Sequence, residues 1–201
     1  MWKWLKKLRG QRVPEQLFSL VDLVAEVAIK NSERQATAFE AALARQCGMR
    51  LDADTTEHIL ALFVCANWAA ANGVWSHLPQ AALRRDLLVQ SKTAMLTRLA
   101  AELQPTGPNE AVALRAASVD FEIFQPFVAG YQRRIAYAGQ NGMPVDETLA
   151  LTFVLETVQF ILKLDEERMY QVVTHFMPAA GGFSDVEGVA GQVNRAAGVE
   201  A

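Results

Sequence analysis

Histidine occurs three times in this chain, at 58, 77 and 175, and cysteine twice, at 47 and 65. Two cysteines build no disulfide framework, and their spacing is not that of a zinc site. A reducing, cytoplasmic compartment is the simplest expectation. Three scattered histidines leave little for imidazole catalysis. The one alignment is Asp54, His58 and Cys65, which fall on one helix face. Seven residues separate His58 from Cys65, about 10.5 Å of helical rise, and a base must lie within hydrogen-bond reach of its nucleophile. The chain also lacks a P-loop, a dinucleotide-binding glycine pattern and HExxH, and it lacks a GxSxG elbow. No catalytic residue, metal ligand or cofactor is expected, and the chain reads as a non-enzyme. Glu156 would be the one handle for an enzyme, if buried, because desolvation raises a carboxyl pKa.

Acidic residues are missing from the first twelve positions. Lys3, Lys6, Lys7, Arg9 and Arg12 give that segment +5, so with −3 for the whole chain the remainder carries −8. On a helical wheel Met1, Trp2, Trp4, Leu5 and Leu8 fill one arc, and Lys3, Lys6, Lys7 and Arg9 the other. Trp and Leu opposite Lys and Arg is the pattern of a helix lying in a membrane interface. Nine residues are too few for a stable isolated helix, so the arm is expected to fold on what it binds. That is an anionic membrane surface, another protein or the chain's own acidic body; the alternative is a tail that stays disordered. No apolar stretch follows the basic start, because Gly10, Gln11 and Arg12 come next, which argues against a signal peptide. The body has no clustered Lys and Arg beyond the pairs Arg84-Arg85 and Arg133-Arg134. Nucleic acid is therefore not an expected partner.

Charge of either sign is absent from His58 to Leu83. Within that zone Ile59 to Trp75 is apolar on every side, so protein or lipid must surround it. Seventeen residues are at the short limit for a membrane span, and Asn67, Asn72 and Gly73 interrupt them. Amphipathic helices flank the stretch and need a shared core. A central helix of a bundle is the expected reading, or failing that an apolar face covered by another chain, a second copy included. Asn67 is then a buried amide in need of partners, and Cys65 a small buried hydrophobe.

The rest of the chain is helical in pattern, and no strand-like alternation is present. Pro14 opens a helix running from Glu15 to about Gln46, with Leu17, Leu20, Val21, Val24, Val27 and Ala28 inward. Asp22, Glu26, Lys30 and Glu33 form a solvated stripe with i,i+4 support. Gly48 ends it. Asp54-Thr-Thr-Glu57 resembles a capping box for the apolar helix. A third helix spans about Gln80 to Leu103, and Gln104 to Pro108 is the strongest breaker. Beyond it, Phe121, Phe124, Phe127 and Tyr131 share one face. They are read as core, or alternatively as the lining of a pocket for a small apolar ligand. Pro126 should kink that helix. A last helix is expected from Pro144 to about Met177, stopped by Pro178, with a polar stripe through Thr152, Glu156, Gln159, Lys163 and Glu166. The Gly-rich tail 179–201 is expected to be mobile, apart from a short docking helix after Ser184.

Residues 44–52 and 138–146 match at five of nine positions, each between a long helix and an apolar one. That suggests related halves at 13–104 and 109–178. The expected fold is thus all-α: one helical bundle of five to six main helices, able to divide into two halves, behind a basic amphipathic arm at 1–12. The expected function is that of an adaptor or assembly component, with Trp2, Lys3, Trp4, Leu5, Lys6, Lys7, Leu8 and Arg9 as the binding element. Its place would be the cytoplasm, peripheral at the inner face of a membrane where the arm docks.

Overall fold

The computed structural model describes residues 15–75, 81–103, 129–144 and 162–179, together with 146, 148, 181–183 and single positions up to 195. Among these residues the regular structure is helical and no strand occurs. The helices are α1 (Glu15–Cys47), α2 (Ala53–Trp75), α3 (Ala81–Leu103), α4 (129–141) and α5 (Glu166–Phe176). A 3-10 turn, Met177–Ala179, follows α5. The arm at 1–9, the breaker at 104–108, Pro126 and Glu156 lie outside the described residues, as do Phe121, Phe124, Phe127 and, of the Ser184–Glu187 box, Ser184 and Glu187.

Helix α1 is the long strut, 33 residues, and it packs against α2, α3 and α5. Its inward face is Val21, Val24, Ala25, Ala28, Ala36, Phe39 and Leu43, all buried. Their recurrence at three and four residues is the helical period itself. The charged stripe lies opposite, as expected. Lys30 donates to Glu26 at 2.6 Å, and Arg98 of α3 reaches the other Glu26 oxygen at 3.7 Å.

Helix α2 is central. Ile59 and every residue from Ala61 to Ala71 are buried, Phe63 completely and Trp68 to 6% exposure. A helix buried on all sides has no water-facing stripe to keep, which accounts for the missing charge. The chain's own helices therefore cover the apolar stretch from Ala61 to Ala71. No described helix is long and apolar enough to cross a membrane. Ala66, Ala69, Ala70 and Ala71 are all fully buried, and their small size lets neighbouring backbones approach. Phe39, Phe63 and Phe176 join three helices with ring centroids 5.5–6.2 Å apart, Phe39 edge to face with each of the others and Phe63 tilted against Phe176.

Three sequence readings need correction. The cap of α2 is Asp52, not Asp54: Asp52 Oδ1 accepts from the Thr55 N–H at 2.7 Å, and its carbonyl from Thr56 N–H at 3.0 Å. A carboxylate at this position satisfies one of the helix's orphan donors. Asp54 sits in the first turn, where the helix dipole also favours an acid. The helix expected to run from Pro144 to Met177 is broken. Lys163 adopts a left-handed φ of 50°, residues 163–165 are not helical, and Asp165 caps α5 by accepting from Arg168 N–H at 2.9 Å. The acids Asp165, Glu166 and Glu167 mark a helix start that the polar-stripe reading passed over. The tail, finally, enters the body at Gly182 and Phe183, both buried, and helical residues recur from Phe183 to Arg195.

The two similar loops share their stop and differ in their start. Gly48 and Gly142 both take the left-handed conformation, φ 61° and 64°. The following methionine N–H reaches back in each, but not in the same register: Met143 to Ala138 O, five residues back, at 2.9 Å, and Met49 to Leu43 O, six back, at 3.4 Å. This is the glycine C-cap. After it, α2 waits until Asp52, whereas Thr148 N–H already bonds Pro144 O at 3.1 Å.

Candidate functional site

The aligned trio of the sequence does not assemble. Asp54 and His58 are exposed, and Cys65 is fully buried in α2. Burial pushes the Cys65 thiol far above its ordinary pKa, offset only in part by Lys92. It is no nucleophile at neutral pH. Among the described residues no three His, Cys, Asp or Glu side chains cluster to hold a metal. Tyr131 is 1% exposed, in keeping with a core position. Arg133 and Arg134 are exposed on α4, and Arg85 on α3.

The described residues instead converge on a polar cluster between α1, α2 and the glycine turn at 181–182. Asn67, Ser32 and Gln35 have no exposed surface. The Asn67 Nδ2 donates to Ser32 Oγ at 3.0 Å, to Gln35 Oε1 at 2.8 Å and to Phe63 O at 2.9 Å. The amide orientation is forced by its neighbours. Ser32 Oγ spends its own hydrogen on Ala28 O, and Phe63 O can only accept. Three acceptors meet two hydrogens, so one of the bonds is shared. The Asn67 Oδ1 has no partner and is buried. The expected buried amide is therefore present, held by residues of α1.

The second half of the cluster was not foreseen. Asn31 Nδ2 donates to Gly182 O at 2.6 Å, and Gln35 Nε2 to Gly181 O at 3.4 Å. Arg34 Nη2 also donates to Gly181 O. Thus α1 presents three side-chain donors to two consecutive backbone carbonyls more than 140 positions away. Gly182 has φ 117°, open to glycine and not to ordinary L residues. A Cβ there would also meet Asn31 Cγ at 3.0 Å. Phe183 follows directly and is completely buried.

A sequence signal for half of this existed. Ser32 and Gln35 continue the inward series Val21, Val24, Ala28 at spacings of four and three, and Phe39 resumes it. Polar residues at core positions of an apolar face announce a buried network. Nothing in the sequence places Gly181 and Gly182 opposite them. Chemically the cluster is neutral apart from Arg34, so it moves no proton near neutrality. What it does is recognise backbone: it fixes two carbonyls and the glycine between them and the phenylalanine. Comparison with protein-family models, with curated proteins and with solved structures finds no match for this chain.

Proposed function

We propose that this protein is a non-enzymatic interaction protein, an adaptor or assembly component, whose residues 1–9 engage an anionic membrane surface or a protein partner. The observation that carries the reading is the arm MWKWLKKLR, with its Trp/Leu and Lys/Arg arcs, ahead of a body of opposite net charge. Each basic residue near an anionic surface contributes about 1 kcal/mol, and the two tryptophans supply an amphipathic anchor. The body supports the reading as a scaffold. Asn67, Ser32 and Gln35 tie α2 to α1, and Cys65 is sealed away from solvent.

Co-sedimentation tests this directly. The full chain should pellet with vesicles containing phosphatidylserine, less so as salt rises, and weakly with neutral vesicles. A chain lacking 1–12 should stay in the supernatant. Equal pelleting of the two chains overturns the membrane reading. Capture of a partner by the full chain and not by the truncated one would then place the arm on a protein.

A further inference from the structure

We propose that the face of α1 carrying Asn31, Arg34 and Gln35 is a peptide-accepting site, filled at rest by the chain's own Gly181–Phe183 turn, and that its intermolecular occupant is the same turn of a second copy. The contacts are of the kind that recognise a segment. Three side-chain donors from one helix address two successive carbonyls, a backbone conformation selects glycine, and a phenylalanine fills the core beyond. The turn is joined to α5 by the four residues 177–180, which include Pro178. In such an exchange that short connection would serve as the hinge, and swapping an identical element between copies costs little in new design. An empty site strips the buried Asn31 and Gln35 amides of their carbonyl acceptors and opens the Phe183 position to water, so it prefers to be filled. Within one chain the tethered turn wins by effective concentration. Exchange therefore becomes visible when closure within the chain is disabled.

Two full-length variants separate the roles. Asn31→Ala with Arg34→Ala spoils the acceptor and leaves a normal turn. Gly182→Ala spoils the turn and leaves a normal acceptor. Native mass spectrometry of each alone should show monomer. A 1:1 mixture should show a species at the sum of the two masses, lost when the first variant also carries Phe183→Ala. Monomers alone in the mixture, with both variants retaining helical circular dichroism and a cooperative melt, overturn the proposal. A measurement on the unaltered chain covers the case in which a variant does not fold. A synthetic peptide of residues 178–192, added in large excess, should displace the resident turn and speed amide exchange around Phe183 several-fold, while α2 amides stay unchanged. No change around Phe183 overturns the proposal equally.

Discussion

Replacing Asn67 with aspartate changes one atom and should make the fold's stability depend on pH in a defined direction. The Asn67 Nδ2 faces three oxygens: Ser32 Oγ, Gln35 Oε1 and Phe63 O. In Asn67→Asp a carboxylate oxygen takes its place, with no exposure to water. Desolvation and facing lone pairs both disfavour the charged form, so the folded pKa rises. The unfolded value stays at about 3.9. Between the two values the folded state binds more protons than the unfolded one, so stability falls as pH climbs. Each pH unit above 3.9 costs about 1.36 kcal/mol until the folded pKa is passed. If that pKa reaches neutrality, the deficit relative to acid conditions is about 4 kcal/mol at pH 7. For a chain of this size about 2–4 °C of Tm accompanies each kcal/mol. Below pH 4 the neutral carboxyl can donate one hydrogen bond and recovers part of the loss. Asn67→Leu serves as control: it removes the same donated bonds, costs about 1–3 kcal/mol, and its deficit does not vary with pH. Thermal melts of both variants from pH 4 to 7, referenced to the unaltered chain at each pH, decide the matter. A deficit in Asn67→Asp that is flat across this range would refute the buried, acceptor-lined placement of residue 67.

Two glycines should respond oppositely to alanine. Gly182→Ala meets Asn31 and a left-handed φ, and should cost about 1–3 kcal/mol. Gly139→Ala, within helical α4 and with nothing near the added Cβ, should gain up to about 1 kcal/mol; paired melts compare them. Lys163→Gly relieves a left-handed lysine and should stabilise by about 1 kcal/mol, read as a rise in urea midpoint at unchanged slope. On the acid side, the Thr55 hydroxyl and N–H hold Asp52 below its ordinary pKa, and Lys30 does the same for Glu26. The unfolded chain therefore takes up protons first. The stabilisation from these two groups is complete above the usual carboxylate range and disappears as pH falls through their lowered values. Asp52→Asn keeps a capping side chain without the charge, and should melt with a shallower acid dependence than the unaltered chain.

Long elements were legible because their signals are redundant. Helix α1 repeats its apolar period over 33 residues and ends on a glycine, so no single misread position changes the assignment. The buried state of α2 followed from a lack of charge that no surface helix tolerates. Errors arose where one residue decides. The cap of α2 moved from Asp54 to Asp52, since Asp-x-x-Thr and Asp-x-x-Glu are both plausible local patterns. The break at Lys163 was hidden by a polar stripe that crosses it in register. The left-handed φ of Lys163 has no local sequence signature, and the only cue nearby is the acidic start of α5 at Asp165, Glu166 and Glu167. The clamp on Gly181 and Gly182 was invisible for a related reason. Its partners are more than 140 residues apart, and a glycine pair with a phenylalanine after it looks the same whether loose or seized.

The polar cluster also answers a question posed by α2 itself. An amphipathic helix has one rotation about its axis that buries its apolar stripe. Helix α2 is apolar on all sides from Ile59 to Ala71 except at Asn67, so hydrophobic burial is nearly indifferent to how it is turned. A rotated α2 would bury similar area and offer Asn67 no acceptors. The cost of an unmade buried amide, about 1–3 kcal/mol, then falls on every wrong rotation. Ser32 and Gln35 make the right one specific, and Gln35 extends the same constraint to the Gly181 carbonyl. The two halves of the cluster are thus one device. Polar residues on α1 set the rotation of the central helix on one side and seat the C-terminal turn on the other. A buried polar group kept for register in this way need not be stabilising in net terms, which is consistent with an Asn67 Oδ1 left without a partner.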